Sequence, residues 1–133
     1  MTRRLVLDSF AVLAFLQGEP GSARVAEFLK RARDAENPLF LSVINWGEVY
    51  YIIHRRAGAA AAQEAIDMLE TLPIELVSAD RELTRIAGEF KAGKRMSYAD
   101  CFAAALAKQK RAELVTGDGE FAEVEGAVQV LWL

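Results

Sequence analysis

The chain has 133 residues, 53% of them hydrophobic and 26% charged, with a formal net charge of −3 at pH 7. That length and mix can bury a core without disulfides or other staples, and they exclude an intrinsically disordered chain. The slightly acidic balance argues against nucleic-acid binding by bulk positive charge, although a bound divalent cation would invert the local sign of an acidic site.

A single domain spanning residues 1–133 is expected. Cys101 is the one cysteine, so no internal disulfide forms, which fits a reducing compartment. The first apolar run stops at Asp8, too early for the core of a signal peptide. No stretch approaches the ~20 apolar residues of a membrane span. The expectation is a soluble, cytoplasmic protein with no membrane partner.

In chain order, Leu5-Val6-Leu7 reads as a buried strand. A helix follows with Ala11, Val12, Phe15 and Leu16 on one face, and Gly18 to Gly21 punctuates it. A second helix runs from about Ser22 to Ala35, with Val25, Phe28 and Leu29 inward. Asn37-Pro38 is a turn and Leu39-Phe40-Leu41 a second strand. Ser42 is a good cap for a third helix carrying Val43, Trp46, Val49, Tyr50 and Ile53. Gly58 breaks it, and a fourth helix covers about Ala59 to Leu72.

Pro73 precedes a third strand, Ile74 to Val77. Asp80 caps a fifth helix with Leu83, Ile86, Ala87 and Phe90, and Lys91 to Arg95 reads as a basic loop around Gly93. Ser97, with Asp100 three residues on, resembles a capping box and opens a sixth helix through about Gln109. Glu113 to Thr116 is a fourth strand, Gly117-Asp118-Gly119 a tight turn, and Val128 to Leu131 a final strand. Strands alternating with helices predict an α/β fold of three layers. Its mainly parallel sheet of four to five short strands has helices on both faces.

Most acidic residues fall on polar helix faces, but four do not. Asp8 follows the first strand, Glu48 lies two turns into the helix after the second, Asp100 is in the first turn of the sixth helix, and Asp118 follows the fourth strand. Ligands of an open parallel sheet bind at the carboxyl ends of its strands, where strand order reverses. If strands one and four are neighbours, Asp8 and Asp118 meet there, and Glu48 leans in from the same edge. The sixth helix is expected to come back from the opposite edge, so Asp100 joins them only if its first turn packs over the site.

Each acid also has a plain structural role open to it. Asp8 can cap a helix, Asp100 can complement a helix dipole, Asp118 can form a turn, and Glu48 can edge an amphipathic face. Together, like charges need protons, cationic side chains or divalent metal. All-oxygen ligands suit Mg²⁺ or Mn²⁺, and the usual work of such a site is phosphodiester hydrolysis.

Four blocks carry a resemblance. They are Leu5-Val6-Leu7-Asp8-Ser9, Ser42-Val43-Ile44-Asn45-Trp46-Gly47-Glu48, Ser97-Tyr98-Ala99-Asp100-Cys101, and Leu114-Val115-Thr116-Gly117-Asp118-Gly119-Glu120-Phe121. Their order and spacing resemble PIN-domain proteins, and the overall size resembles the VapC-type toxins of prokaryotic toxin–antitoxin pairs. The resemblance implies that Asp8, Glu48, Asp100 and Asp118 hold Mg²⁺ or Mn²⁺ for endonucleolytic hydrolysis of RNA. It implies supporting hydroxyls at Thr116 and Ser9. It also implies an antitoxin that covers the active site, and a homodimer. Glu120 stands where the family frequently has an aspartate, and is an auxiliary candidate.

His54 lies six residues after Glu48, turned away on the helix, which leaves a nucleophilic triad without a base. Histidine–cysteine zinc sites lack ligands, and no phosphate-binding lysine motif is present. Of the basic clusters, Lys94 and Arg95 stand nearest Asp100 in sequence and are the candidates for phosphate contacts with RNA. Phe15, Leu16, Trp46, Tyr50 and Tyr51 are candidates for an apolar groove, or simply for core. Two other functions compete: a catalytically silent PIN fold that binds RNA or protein, and a receiver-type signalling domain. The latter lacks its late lysine, because no lysine follows Lys110.

Overall fold

A computed structural model describes residues 3–133. Five short strands, β1 (Leu5–Leu7), β2 (Leu39–Ser42), β3 (Ile74–Val77), β4 (Glu113–Thr116) and β5 (Val130–Trp132), form one sheet. All four pairings are parallel and the order is β3-β2-β1-β4-β5. Parallel strands are buried on both faces, and β1 obeys this, with Leu5 and Leu7 packing to one side and Val6 to the other.

The side of Leu5 and Leu7 is covered by α1 (Ser9–Gln17), α2 (Ser22–Asp34), α3 (Val43–Ala57) and α4 (Ala59–Glu70). Val12, Val25, Phe28, Leu29, Val49, Ile53 and Ile66 fill that core. On the side of Val6 lie α5 (Arg81–Gly93), α6 (Tyr98–Lys110) and a short 3-10 helix (Gly119–Val124). Helix α6 is buried continuously from Asp100 to Ala107, and its run of alanines lets it approach the strands closely. The three-layer α/β expectation holds.

Three local expectations change. Lys91 to Gly93 is the last turn of α5 rather than loop; Lys91 Nζ donates to the Met96 carbonyl at 2.7 Å and holds the chain as it leaves the helix. The turn at Gly117-Asp118-Gly119 continues as 3-10 helix, because the Asp118 side chain accepts from Glu120 N at 2.9 Å. The last strand begins at Val130, two residues late, after the Ala127 and Val128 N–H groups bond back to Val124.

The sheet order sets the position of the site. From β1, successive strands step one way to β2 and β3, then the chain crosses to β4 and β5 on the other side. The order therefore reverses between β1 and β4, which pair directly with Leu7 opposite Val115. The carboxyl ends of these two strands frame the crevice where such sheets bind ligands.

Candidate metal centre

Asp8 leaves β1 at that crevice and is 1% exposed. It performs the plain structural role as well: Oδ1 accepts from Ala11 N at 2.8 Å and caps α1. Oδ2 accepts from the Thr116 hydroxyl at 2.5 Å. Thr116, fully buried at the end of β4, in turn accepts from Asp118 N at 3.0 Å. One hydroxyl thus ties the acid after β1 to the backbone of the acid after β4.

Asp100 arrives on α6. A helix that leads into a parallel strand runs antiparallel to it. Helix α6 ends at the amino edge, where its Lys110 carbonyl accepts from Arg4 Nη1 at 3.1 Å, so it begins at the carboxyl edge. The expectation that it comes back from the opposite edge is corrected by this direction of travel. Ser97 caps the helix by accepting from Asp100 N at 3.1 Å. From the neighbouring layer, Asn45 Nδ2 donates to the Ala99 carbonyl at 3.1 Å, fixing the first turn of α6 against α3.

Asp100, Asp118 and Glu120 each offer a carboxylate oxygen, and these oxygens lie within 4.8 Å of one another. Glu120, an auxiliary candidate on sequence grounds, is brought into the cluster by the 3-10 turn that Asp118 caps. Glu48, half-buried on α3, accepts a short hydrogen bond from the Ser9 hydroxyl. Asp8 and Glu48 are not members of the tight triad, but both act on Asp100 or are acted on through it: Asp8 feels the charges of Asp100 and Asp118, and Asp100 feels Glu48.

The electrostatics of the cluster are unfavourable to full ionisation. Burial pushes the Asp8 carboxyl up to about 7, against the lowering effect of the Thr116 and Ala11 hydrogen bonds, with Asp100 and Asp118 adding repulsion. Burial also pushes Asp100 up to about 6; the Ser97 hydrogen bond opposes this, and Asp118, Glu48 and Glu120 reinforce it. The charges that act on these two groups are all carboxylates. The donor set is oxygen only, which fits a hard divalent cation such as Mg²⁺ or Mn²⁺.

Lys94 and Arg95 are exposed beyond the end of α5. Lys94 lines a shallow cavity with Ile86, Glu89, Phe90 and Lys108, and Arg95 N bonds to Glu123 Oε1 at 3.4 Å. Phe15, Leu16, Trp46 and Tyr50 pack half-buried against the α1–α4 core, whereas Tyr51 is 45% exposed under the Arg55 guanidinium. Cys101 is buried, and His54 is exposed beside Tyr50, away from the acids.

The Thr116 hydroxyl is the most economical joint of the site, and its removal has a defined outcome. Thr116→Val keeps the shape but leaves Asp8 Oδ2 and Asp118 N without their partner. It is expected to lower stability by about 1–3 kcal/mol and to weaken divalent-cation affinity by about 10–100-fold. Thermal melts and Mn²⁺ titrations of the variant check both.

Comparison with known proteins follows this geometry. A family model described as PIN domain matches residues 5–127. No curated protein matches the chain. Among solved structures, VapBC2 from Rickettsia felis, bound to a DNA fragment from its promoter, is similar with a TM-score of 0.77 at 18% identity, covering 96% of each chain. DNA-bound VapBC from Salmonella typhimurium is similar with a TM-score of 0.77 at 15% identity, covering 98% of each chain. VapC20 from Mycobacterium tuberculosis, a sarcin–ricin loop cleaving toxin, is similar with a TM-score of 0.70 at 21% identity, covering 95% of this chain and 98% of its own.

Proposed function

We infer that this chain, which belongs to the PIN domain family, is one PIN domain acting as a divalent-cation-dependent endoribonuclease, the toxin of a toxin–antitoxin pair. The observation that carries the reading is the gathering of Asp100, Asp118 and Glu120 at the strand-order reversal beside buried Asp8, with Asp8 and Asp100 held well above the usual carboxylate range. Structural acids that serve only as helix caps gain nothing from being gathered in one crevice. A cluster that repels itself is built for a cation.

In this reading Asp100, Asp118 and Glu120 hold Mg²⁺ or Mn²⁺, with Asp8 closing the set from β1 and Glu48 from α3. A cation held there would lower the pKa of a bound water and stabilise charge on the scissile phosphate. The protein's own work is placement. Thr116 keeps Asp8 and Asp118 in register, Ser9 orients Glu48, and Ser97 fixes the first turn from which Asp100 projects. Burial of Asp8 and Asp100 strengthens the pull of these two carboxylates on a cation. Lys94 and Arg95, exposed beyond α5, are assigned to the RNA phosphates.

The partner assignment draws on the VapBC neighbours, which share the fold, one of them described as a member of the VapBC family of toxin–antitoxin systems. We assign to this chain a cognate antitoxin that covers the acidic crevice, a homodimeric state, and a cytoplasmic location with its RNA substrate. Among the described residues no helix is long and apolar enough to cross a membrane.

The test is incubation of the purified protein with a mixed RNA pool in EDTA and then in Mg²⁺ or Mn²⁺, with a DNA pool alongside. Internal RNA cleavage that appears only with the cation is expected. Intact RNA under every condition would favour the silent binding module instead.

A further inference from the structure

Asn45 is fully buried in the first turn of α3. Its Nδ2 donates to the Ala99 carbonyl, and since a carbonyl cannot donate, this bond fixes which end of the amide is which. The other end, Oδ1, is the one buried side-chain nitrogen or oxygen among the described residues that has no hydrogen-bond partner. A buried acceptor left unpaired is costly and calls for a specific cause.

No donor among the described residues is bonded to it. Asn45 stands three residues before Glu48 on the same face of α3, and it grips the carbonyl of the residue preceding Asp100. Two backbone donors in that turn of α6 are committed, Asp100 N to Ser97 Oγ and Cys101 N to the Ser97 carbonyl. The flanking acids, when ionised, only accept. A water is a donor that would satisfy it, and next to the turn that carries Asp100 a water is held best by a cation.

We propose that Asn45 is a positioning residue of the acidic site, its Oδ1 accepting a hydrogen bond from a water on the divalent cation that Asp100, Asp118 and Glu120 would hold. This rests on the metal-site reading above. It gives one amide two functions: Nδ2 sets the distance between α3 and α6, and Oδ1 orients a water of the cation's shell.

Two variants separate these functions. Asn45→Leu removes both. Asn45→Asp removes the donor to Ala99 but keeps an acceptor oxygen. Mn²⁺ affinity is measured by electron paramagnetic resonance of the free ion, with a thermal melt of each protein. Asn45→Leu is expected to bind Mn²⁺ about 10–100-fold more weakly, while Asn45→Asp binds at least as tightly as the parent despite a lower melting temperature. If Asn45→Leu does not fold, Asn45→Ala is read in its place with the same expectation. Parent-like affinity in the leucine or alanine variant overturns the proposal, and so does equal weakening in the aspartate variant, which would leave only the clamp. A parent that holds no Mn²⁺ removes the metal-site reading itself and this proposal with it, an outcome distinct from either of those.

Discussion

Asp100→Asn is expected to reduce cation-dependent RNA cleavage by at least about a hundredfold while the protein stays folded. The substitution keeps the size of the side chain and leaves the Ser97 cap untouched, because that bond is made by the backbone N–H of residue 100. Helix α6 should therefore start in the same place. What changes is the charge: the Asp100, Asp118 and Glu120 triad loses one of its three carboxylates. Asp8→Asn should fall in the same direction. The check is single-turnover cleavage of one RNA by the three proteins purified in parallel. Equal rates from all three would mean that the nuclease activity belongs to a contaminant.

The second large effect is on stability without metal. Asp8 titrates near 7 in the folded protein against a reference of 3.8, and Asp100 near 6. A raised acid binds its proton more tightly when folded, so the proton favours the native state. Below about pH 4 both states are protonated and neither group matters. As pH rises from 4 to 7 the unfolded chain releases its protons first, and stability falls; above 7 the penalty is complete and constant. At about 1.4 kcal/mol per unit, the fully buried Asp8 alone is set to cost on the order of 4 kcal/mol at neutral pH, or roughly 10 °C in melting temperature. The metal-free protein is expected to melt higher at pH 5 than at pH 7.5, and Mn²⁺ to recover the difference at pH 7.5. Asp8→Asn should flatten the pH dependence and raise the metal-free melting temperature at neutral pH. The asparagine keeps the Ala11 cap through its oxygen and can donate to Thr116 Oγ1. Melts in EDTA decide this, and a clearly lowered melting temperature for Asp8→Asn would contradict the argument that the buried, ionised Asp8 costs stability.

Most of the architecture was legible because its signals are local. The Leu5-Val6-Leu7 run, the caps at Ser42, Asp80 and Ser97, and the breaks at Gly18 and Gly58 each act within a few residues. The meeting of Asp8 with Asp118 was conditional on strands one and four being neighbours, a matter of strand order that no local pattern carries. The direction of α6 was misjudged although the helix directly before a parallel strand runs back along the sheet, which puts the first turn of α6 at the carboxyl edge.

Glu120 was an auxiliary candidate on sequence grounds. Its position depends on a 3-10 turn that Asp118 nucleates, not on reach alone. Asn45 carried no signal at all. A polar residue in the first turn of a helix reads as solvent-facing until α6 is seen to cover it.

The central claim is that acids at positions 8, 48, 100, 118 and 120 surround one cation. Anomalous diffraction from a Mn²⁺-soaked crystal tests it most directly. The account predicts a single strong peak bonded to carboxylate oxygens of Asp100, Asp118 and Glu120, at about 2.0–2.3 Å, with Asp8 and Glu48 facing it. A peak elsewhere on the molecule, or none while these carboxylates remain ordered, would contradict it.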